Sequence, residues 1–235
     1  MISPLPTLVL LAGGLATRLR PITEVVPKSM IDINGKPFIY HQLHLLKSKG
    51  IESVVICVGY LSKQIIDYVG DGKNFGLKIR YSYDGEKLLG TGGSVKKALS
   101  LLEEDFFVMY GDSYLNINLN EIWEFYRQQQ AIALMTVIKN DNKWDKSNIL
   151  FKNSKVVAYD KINSCPEMHY IDYGCCLFNN VRFSELSAQK EKFDLSEIHN
   201  DLIKQEVLFG YEVFTRFYEV GSHSGILELK QFLNL

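Results

Sequence analysis

The feature that most constrains the fold is an apolar run that ends on two glycines, Leu8-Val9-Leu10-Leu11-Ala12-Gly13-Gly14. An apolar run this short, bounded by glycines, reads as a central strand covered on both faces. The loop after it is cationic: Leu15-Ala16-Thr17-Arg18-Leu19-Arg20-Pro21, and then Pro27-Lys28. Glycines at the carboxyl end of a strand allow the backbone to approach a ligand closely. Backbone N–H groups there, joined by a guanidinium fork at Arg18 and an ammonium at Lys28, make a receptor for phosphate oxygens. The rest of the chain is then expected to supply walls, a metal ligand and a place for a second substrate.

Bulk properties narrow the alternatives. With 235 residues and 46% hydrophobic content, the chain can bury one large core, and the length suits a single α/β domain. A net charge of −1 offers no global field for nucleic acid. No apolar run reaches the roughly 18 residues of a membrane span. The opening Met1-Ile2-Ser3-Pro4 has no basic stretch, so Leu8–Ala12 reads as a strand and not a signal peptide. Cys165, His169, Cys175 and Cys176 lack a zinc-site spacing, and adjacent residues of a strand point to opposite faces. Reduced thiols in a cytoplasmic protein are the simpler expectation. A homo-oligomer stays open.

Periodicity predicts strands at Thr7–Ala12, Val54–Val58, Lys78–Tyr83, Asp105–Tyr110 and Ala131–Ile138. Helices are expected over Phe38–Lys49, Leu61–Val69, from Gly90 through Leu102, and over Leu119–Gln129. This alternation argues a doubly wound sheet. From Asn140 the rhythm changes to short extended pieces near Ile149–Phe151, Val156–Asp160 and Tyr170–Phe178. Asp194 and Glu197 have capping-box spacing and open a helix to Lys204. Extended segments at Val207–Phe214 and Arg216–Val220 and a closing helix over Gly225–Leu233 complete the chain. Lys96-Lys97 reads as a solvated helix face. The five histidines form no defensible Ser-His-Asp order.

The first loop is neither a Walker A motif nor a G-x-G-x-x-G fingerprint. Ala12-Gly13-Gly14-Leu15-Ala16-Thr17-Arg18-Leu19-Arg20-Pro21-Ile22-Thr23 with Pro27-Lys28 instead resembles the signature loop of the sugar-1-phosphate nucleotidyltransferases. Ala16 stands where that family usually has a third glycine, and Ser29 where a proline commonly follows the lysine. The resemblance continues through Leu89-Gly90-Thr91-Gly92-Gly93, Tyr110-Gly111-Asp112-Ser113, Asp160-Lys161, Ile171-Asp172-Tyr173-Gly174 and Glu219-Val220-Gly221-Ser222.

The resemblance implies a three-layer Rossmann-like nucleotidyltransferase fold, α/β with a central, mostly parallel mixed sheet. Residues 1–139 would form a nucleotide-binding half and residues 140–235 a sugar-phosphate-binding half of one domain. It implies an NTP site at Leu11, Ala12, Gly13, Gly14, Thr17, Arg18, Asp84, Gly90 and Thr91. Lys161, Tyr173 and Gly174 would hold the sugar phosphate. Asp112 and Glu219 would hold Mg2+, and Arg18, Lys28 and Asp112 would carry the chemistry. Asp84 or Glu86 could accept from guanine's N1 and N2 edge, though an acid there suits uracil's N3–H as well. The subfamily most resembled uses GTP and D-glycero-α-D-manno-heptose 1-phosphate for bacterial surface glycans. UTP-, CTP- or dTTP-dependent enzymes, a catalytically silent sugar-nucleotide-binding subunit, and a metal-dependent glycosyltransferase are the alternatives. The lack of an Asp-x-Asp triplet counts against the last.

Overall fold

A computed structural model of the chain describes residues 4–14, 17–85 and 87–234. Strand β1 (Leu8–Leu11) lies inside the main sheet with a parallel neighbour on each side. From β1 the chain passes through a hairpin, β2 (Asp32–Ile33) and β3 (Lys36–Pro37), into helix α1 (Phe38–Ser48). It continues as β4 (Ser53–Val58), α2 (Ser62–Val69), β5 (Lys78–Tyr83), α3 (Gly90–Ala98) and β6 (Asp105–Tyr110). A short β7 (Ser113–Tyr114), α4 (Leu119–Gln128) and β8 (Ala133–Lys139) follow. Next come β9 (Ile149–Lys152), β10 (Lys155–Tyr159), the long β11 (Tyr170–Asn179) and α5 (Asn180–Ser187). The chain closes with α6 (Leu195–Lys204), β12 (Leu208–Val213), β13 (Tyr218–Glu219) and α7 (His223–Phe232).

The sheet order is β5-β4-β1-β6-β11-β8-β12-β10-β9. The ladders around β1 are parallel, as expected for βαβ crossovers. Strand β11 runs antiparallel to both β6 and β8 and joins the second half of the chain to the same sheet. A single pairing of Tyr170 with Ile149 brings β9 back to β11, so the last five strands close on themselves. Strand order reverses at β1, with β4 and β5 on one side and β6 on the other. Such a switch point leaves a crevice outside the carboxyl ends of β1 and β6.

Side-chain alternation accounts for the three layers. Leu8 and Leu10 face α1, α2 and α4 through Ile39, Leu43, Ile65 and Ile122. Val9 faces the opposite layer, where Val95 of α3, Phe183 of α5 and Ile198 of α6 pack. Two-sided burial is why β1 is apolar throughout, each buried side chain contributing about 1.5–3 kcal/mol. Cys175 and Cys176 fall in opposite layers, as the strand alternation requires. A third cluster of Leu19, Ile31, Ile33, Phe38, Tyr114, Val220 and Leu229 fastens the first loop to α7. No helix among the described residues is long and apolar enough to cross a membrane.

Two expectations change. Helix α5 has no counterpart in the sequence reading: β11 runs into it without a turn, and the strand's last residue, Asn179, caps it by accepting from Arg182 N–H at 3.2 Å. The lysines of α3 are not merely solvated. Lys96 Nζ donates to the carbonyls of Ala188 (3.1 Å) and Lys190 (2.7 Å), and Lys97 Nζ to that of Asp84 (3.3 Å). The cause is the glycine face of α3, which brings the helix onto residues 191–193. Phe193 O accepts from both Gly92 N–H (3.0 Å) and Gly93 N–H (3.3 Å). A Cβ at Gly92 would enter the Phe193 ring, and one at Gly93 would lie 2.8 Å from Glu191 O. Gly92→Ala is therefore expected to cost about 1–3 kcal/mol through overpacking, read as a lowered Tm. An unchanged Tm would contradict this packing.

Candidate active site

A cavity of about 230 Å³ occupies the crevice at the switch point. Leu11, Ala12, Gly13 and Gly14 form one wall, and Tyr110, Gly111 and Asp112 another. Lys28, Ser29, Asp84, Leu88, Gly90, Thr91 and Ser94 complete it. The two strand ends meet closely: Gly111 N–H donates to Leu11 O at 3.0 Å, and a Cβ at Gly111 would collide with that carbonyl. A Cβ at Gly13 would sit 3.2 Å from Gly59 N and 3.3 Å from Asp84 Oδ2, whereas Gly14 faces open space.

Within this wall Lys28 Nζ pairs with Asp112 Oδ2 at 2.9 Å, with side chains 19% and 31% exposed. Pro27 directs the chain into the short turn Lys28–Met30 that carries the lysine. Gln42 of α1 clamps the turn that carries Asp112, its Nε2 donating to Ser113 O (2.8 Å) and Tyr110 O (3.3 Å). Strand β13 pairs with β7 so that Glu219 lies opposite Ser113, and Val220 N–H donates to Asp112 O at 2.9 Å. The Glu219 carboxylate accepts from Ser222 Oγ at 2.5 Å and from Gly221 N–H. A Cβ at Gly221 would crowd that carboxylate and lie 3.6 Å from Lys28 Nζ, so a bare backbone there lets the acid and the ammonium share one corner.

Asp112 and Glu219 are hard oxygen donors of the type Mg2+ takes. No group of three His, Cys, Asp or Glu side chains suited to a metal occurs among the described residues. Two carboxylates would supply part of a shell, which Mg2+ commonly completes with water and substrate phosphates. The donor set therefore fits the ion.

The wall facing Asp112 holds Asp84, whose carboxylate oxygens accept from Ser94 Oγ at 2.8 and 2.9 Å. Burial raises its pKa against these bonds. Gly90 and Thr91 reach the cavity, but the N–H groups of Gly92 and Gly93 are spent on Phe193 O. Thr91 Oγ1 likewise accepts from Leu195 N–H at 2.8 Å. Arg18 does not line the cavity. It lies exposed on the turn Thr17–Leu19, whose Leu19 is folded into the third cluster and so sends its neighbour outward. Leu15, Ala16 and Glu86 lie outside the described residues, as does the side chain of Thr17.

A second cavity, about 410 Å³, is lined by Tyr159, Asp160, Lys161, Ile162, Ser196 and Asn200. Lys161 Nζ contacts Asp194 Oδ1 at 3.2 Å. Burial works against the Asp194 carboxylate, but hydrogen bonds from Ser196 and the Lys161 ammonium hold its pKa at about 2. Tyr173 is in the core, edge-on to Phe217 at 5.8 Å, and not on a cavity wall. Gly174, at φ 102°, bends β11 just there, and its N–H donates to Asp172 Oδ1 at 2.9 Å. Asp172 lines neither cavity and accepts a long 3.4 Å hydrogen bond from Tyr110 Oη, a wall residue of the first.

Sequence reasoning missed Ser94, Ser29 and Gln42. Ser94 sits one helical turn beyond Gly90 and so shares its face, and Gln42 is a polar residue on the apolar stripe of Ile39, Leu43 and Leu46.

The nucleotidyl transferase family profile matches residues 7–234. The chain belongs to the nucleotidyl transferase family. Similar proteins include the D-glycero-alpha-D-manno-heptose 1-phosphate guanylyltransferase of Campylobacter jejuni, 29% identical over 84% of this chain and 86% of that one. The Aneurinibacillus thermoaerophilus protein of the same name is also 29% identical, over 91% and 92%. The crystal structure of HddC from Yersinia pseudotuberculosis shares the fold, with a TM-score of 0.82 at 23% identity over 97% of this chain and 100% of that one.

One buried group in this nucleotidyltransferase ties the second cavity to stability. His199 of α6 stacks on Phe178 (5.6 Å), its Nε2 lies 3.6 Å from Cys176 Sγ, and its Nδ1 has no partner among the described residues. Burial, helped by Lys161, pushes its pKa from 6.5 down to about 3. The unfolded chain therefore binds this proton more readily, and stability is lost as pH falls from 6.5 toward 3. Urea unfolding at pH 7 and pH 4.5 should show a smaller loss for His199→Phe than for the wild type. Equal losses would refute the assignment.

Proposed function

We propose that this nucleotidyltransferase moves the nucleoside monophosphate of an NTP, GTP in the first instance, onto a sugar 1-phosphate, releasing pyrophosphate and a nucleotide sugar. D-glycero-α-D-manno-heptose 1-phosphate is the favoured acceptor, in cytoplasmic synthesis of a surface glycan. The observation that carries the reading is the Lys28–Asp112 pair inside the crevice at the ends of β1 and β6. GTP is favoured by the guanylyltransferase relatives, which cover most of both chains, and by a buried carboxylate, Asp84, on the base-side wall. UTP remains the second reading, since Asp84 can accept from uracil's N3–H too.

In this reaction a phosphate oxygen of the sugar 1-phosphate attacks the α-phosphorus in line. The new P–O bond forms as the bond from the α-phosphorus to the bridging β-oxygen breaks. Phosphomonoester oxygens are already largely anionic at neutral pH, so no strong base is required. The protein's contribution is positioning and charge neutralisation. Lys28 would turn from Asp112 to the α-phosphate and the incoming phosphate, Arg18 would swing in from its exposed turn to the β- and γ-phosphates, and Lys161 would leave Asp194 for the sugar phosphate. Asp112 and Glu219 would hold Mg2+, which when bound neutralises charge on the triphosphate.

A pyrophosphate-release assay over four NTPs and a panel of sugar 1-phosphates tests the reading. Release is expected with GTP, and removal of Mg2+ with EDTA should abolish it. Lys28→Ala and Asp112→Ala should each lower turnover by about 10² or more while remaining folded. No release with any pair would sink the proposal, and near-normal rates in both variants would overturn the site.

A further inference from the structure

Ser29 follows Lys28 on the turn Lys28–Met30 and forms part of the wall of the first cavity. The residue is only 2% exposed, and its hydroxyl has no hydrogen-bond partner among the described residues. Its backbone is held from both sides. Met30 N–H donates to Pro27 O at 2.8 Å, and Ile31 N–H donates to Lys28 O at 3.2 Å. Ile31 O in turn accepts from Phe38 N–H of α1 at 2.9 Å. The turn thus fixes the Cα of a buried hydroxyl that the described fold leaves unused.

A buried hydroxyl left unpaired works against stability. Packing does not require it, because the loop is fastened by Ile31 and Ile33 of the third cluster. An alanine would fill the same space. The proline that commonly follows this lysine in the family would bring no hydroxyl at all. The group is therefore explained by neither core nor backbone, and its place in the cavity wall points to a ligand.

The neighbouring charges narrow which atom that ligand presents. The Lys28 ammonium precedes Ser29 in the chain and lines the same cavity. An O–H donor beside a cation is best matched by an anionic oxygen, and charge-assisted O–H···O⁻ bonds are about twice as strong as neutral ones. Since no internal hydrogen bond holds the hydroxyl, a staggered step about χ1 toward the cavity breaks none.

We propose that the Ser29 hydroxyl turns into the cavity and donates a hydrogen bond to a non-bridging oxygen of the α-phosphate, which makes it a catalytic residue beside Lys28. The assignment rests on the reaction proposed above. The non-bridging oxygens of the transferred phosphoryl group carry charge in the transition state. A donor aimed at one of them lowers the barrier, and the bond satisfies a hydroxyl that is otherwise unpaired.

The test compares the full-length wild type with Ser29→Ala, using GTP and the sugar 1-phosphate that is turned over best, with thermal melts on both. Ser29→Ala should lower kcat/KM for GTP by about tenfold or more. Its Tm should equal or exceed that of the wild type, because an unpaired polar group has been removed. The two diastereomers of the GTP analogue carrying sulfur on the α-phosphate locate the contact, since each replaces one non-bridging oxygen with a poorer acceptor. For one diastereomer the rate penalty seen in the wild type should shrink to about a third or less in Ser29→Ala. An oxygen met only by Lys28 or a metal ion gives the same penalty in both proteins. With an active wild type, the assignment alone is overturned by a kcat/KM of Ser29→Ala within about twofold of wild type, by a lowered Tm, or by sulfur penalties unchanged for both diastereomers. A wild type that releases no pyrophosphate from any NTP overturns the reaction and the assignment together.

Discussion

The Lys28–Asp112 contact is the interaction around which the site is arranged. It spans 84 positions of sequence and joins the loop after β1 to the end of β6. Both side chains are partly shielded, so each would be a poorly solvated charge without the other. Their pairing balances these two charges against each other in this corner of the cleft. In the proposed reaction a polyphosphate would take the ammonium and free the carboxylate for a cation. The same corner receives Glu219, because β13 is hydrogen-bonded beside Asp112 and Gly221 leaves space next to Lys28. Loop, sheet and C-terminal segment thus converge on three charged groups.

The glycines divide into two physical classes. Gly13 and Gly14 belong to the ligand side, the first in near contact with Asp84 and the second open. Gly92 and Gly93 serve packing, since residues 191–193 occupy the space their side chains would need. That packing draws α3 toward the N-terminus of α6, whose Asp194 both caps its helix and holds Lys161. The base-side wall and the Lys161 cavity are therefore mechanically linked through Phe193.

Most of the fold around β1 was legible in the sequence because buried parallel strands are written as uninterrupted apolar runs between helical periods. Val54–Val58 and Asp105–Tyr110 are such runs, and both are strands with those residues. Helix α5 escaped because it begins directly at the end of β11, with Asn179 acting as both strand residue and cap. Asp84 and Asp112 reach the cavity wall as residues just past strand ends, and Lys28 as part of the Pro27-Lys28 pair in the loop after β1. Arg18 points away from that wall because Leu19 beside it is buried against α7, a contact from the other end of the chain. Tyr173 lies in the core because it alternates with Ile171, Cys175 and Leu177 on the buried face of β11, which leaves Asp172 on the other face.

The most direct test of the account is a crystal structure of the protein with a non-hydrolysable GTP analogue. The account requires the phosphates over Leu11–Gly14, the base beside Asp84 and Gly90, and Lys28 moved from Asp112 to a phosphate oxygen. A nucleotide bound outside this crevice, or one bound within it while Lys28 stays on Asp112 and no phosphate lies in hydrogen-bond reach of its ammonium, would contradict it.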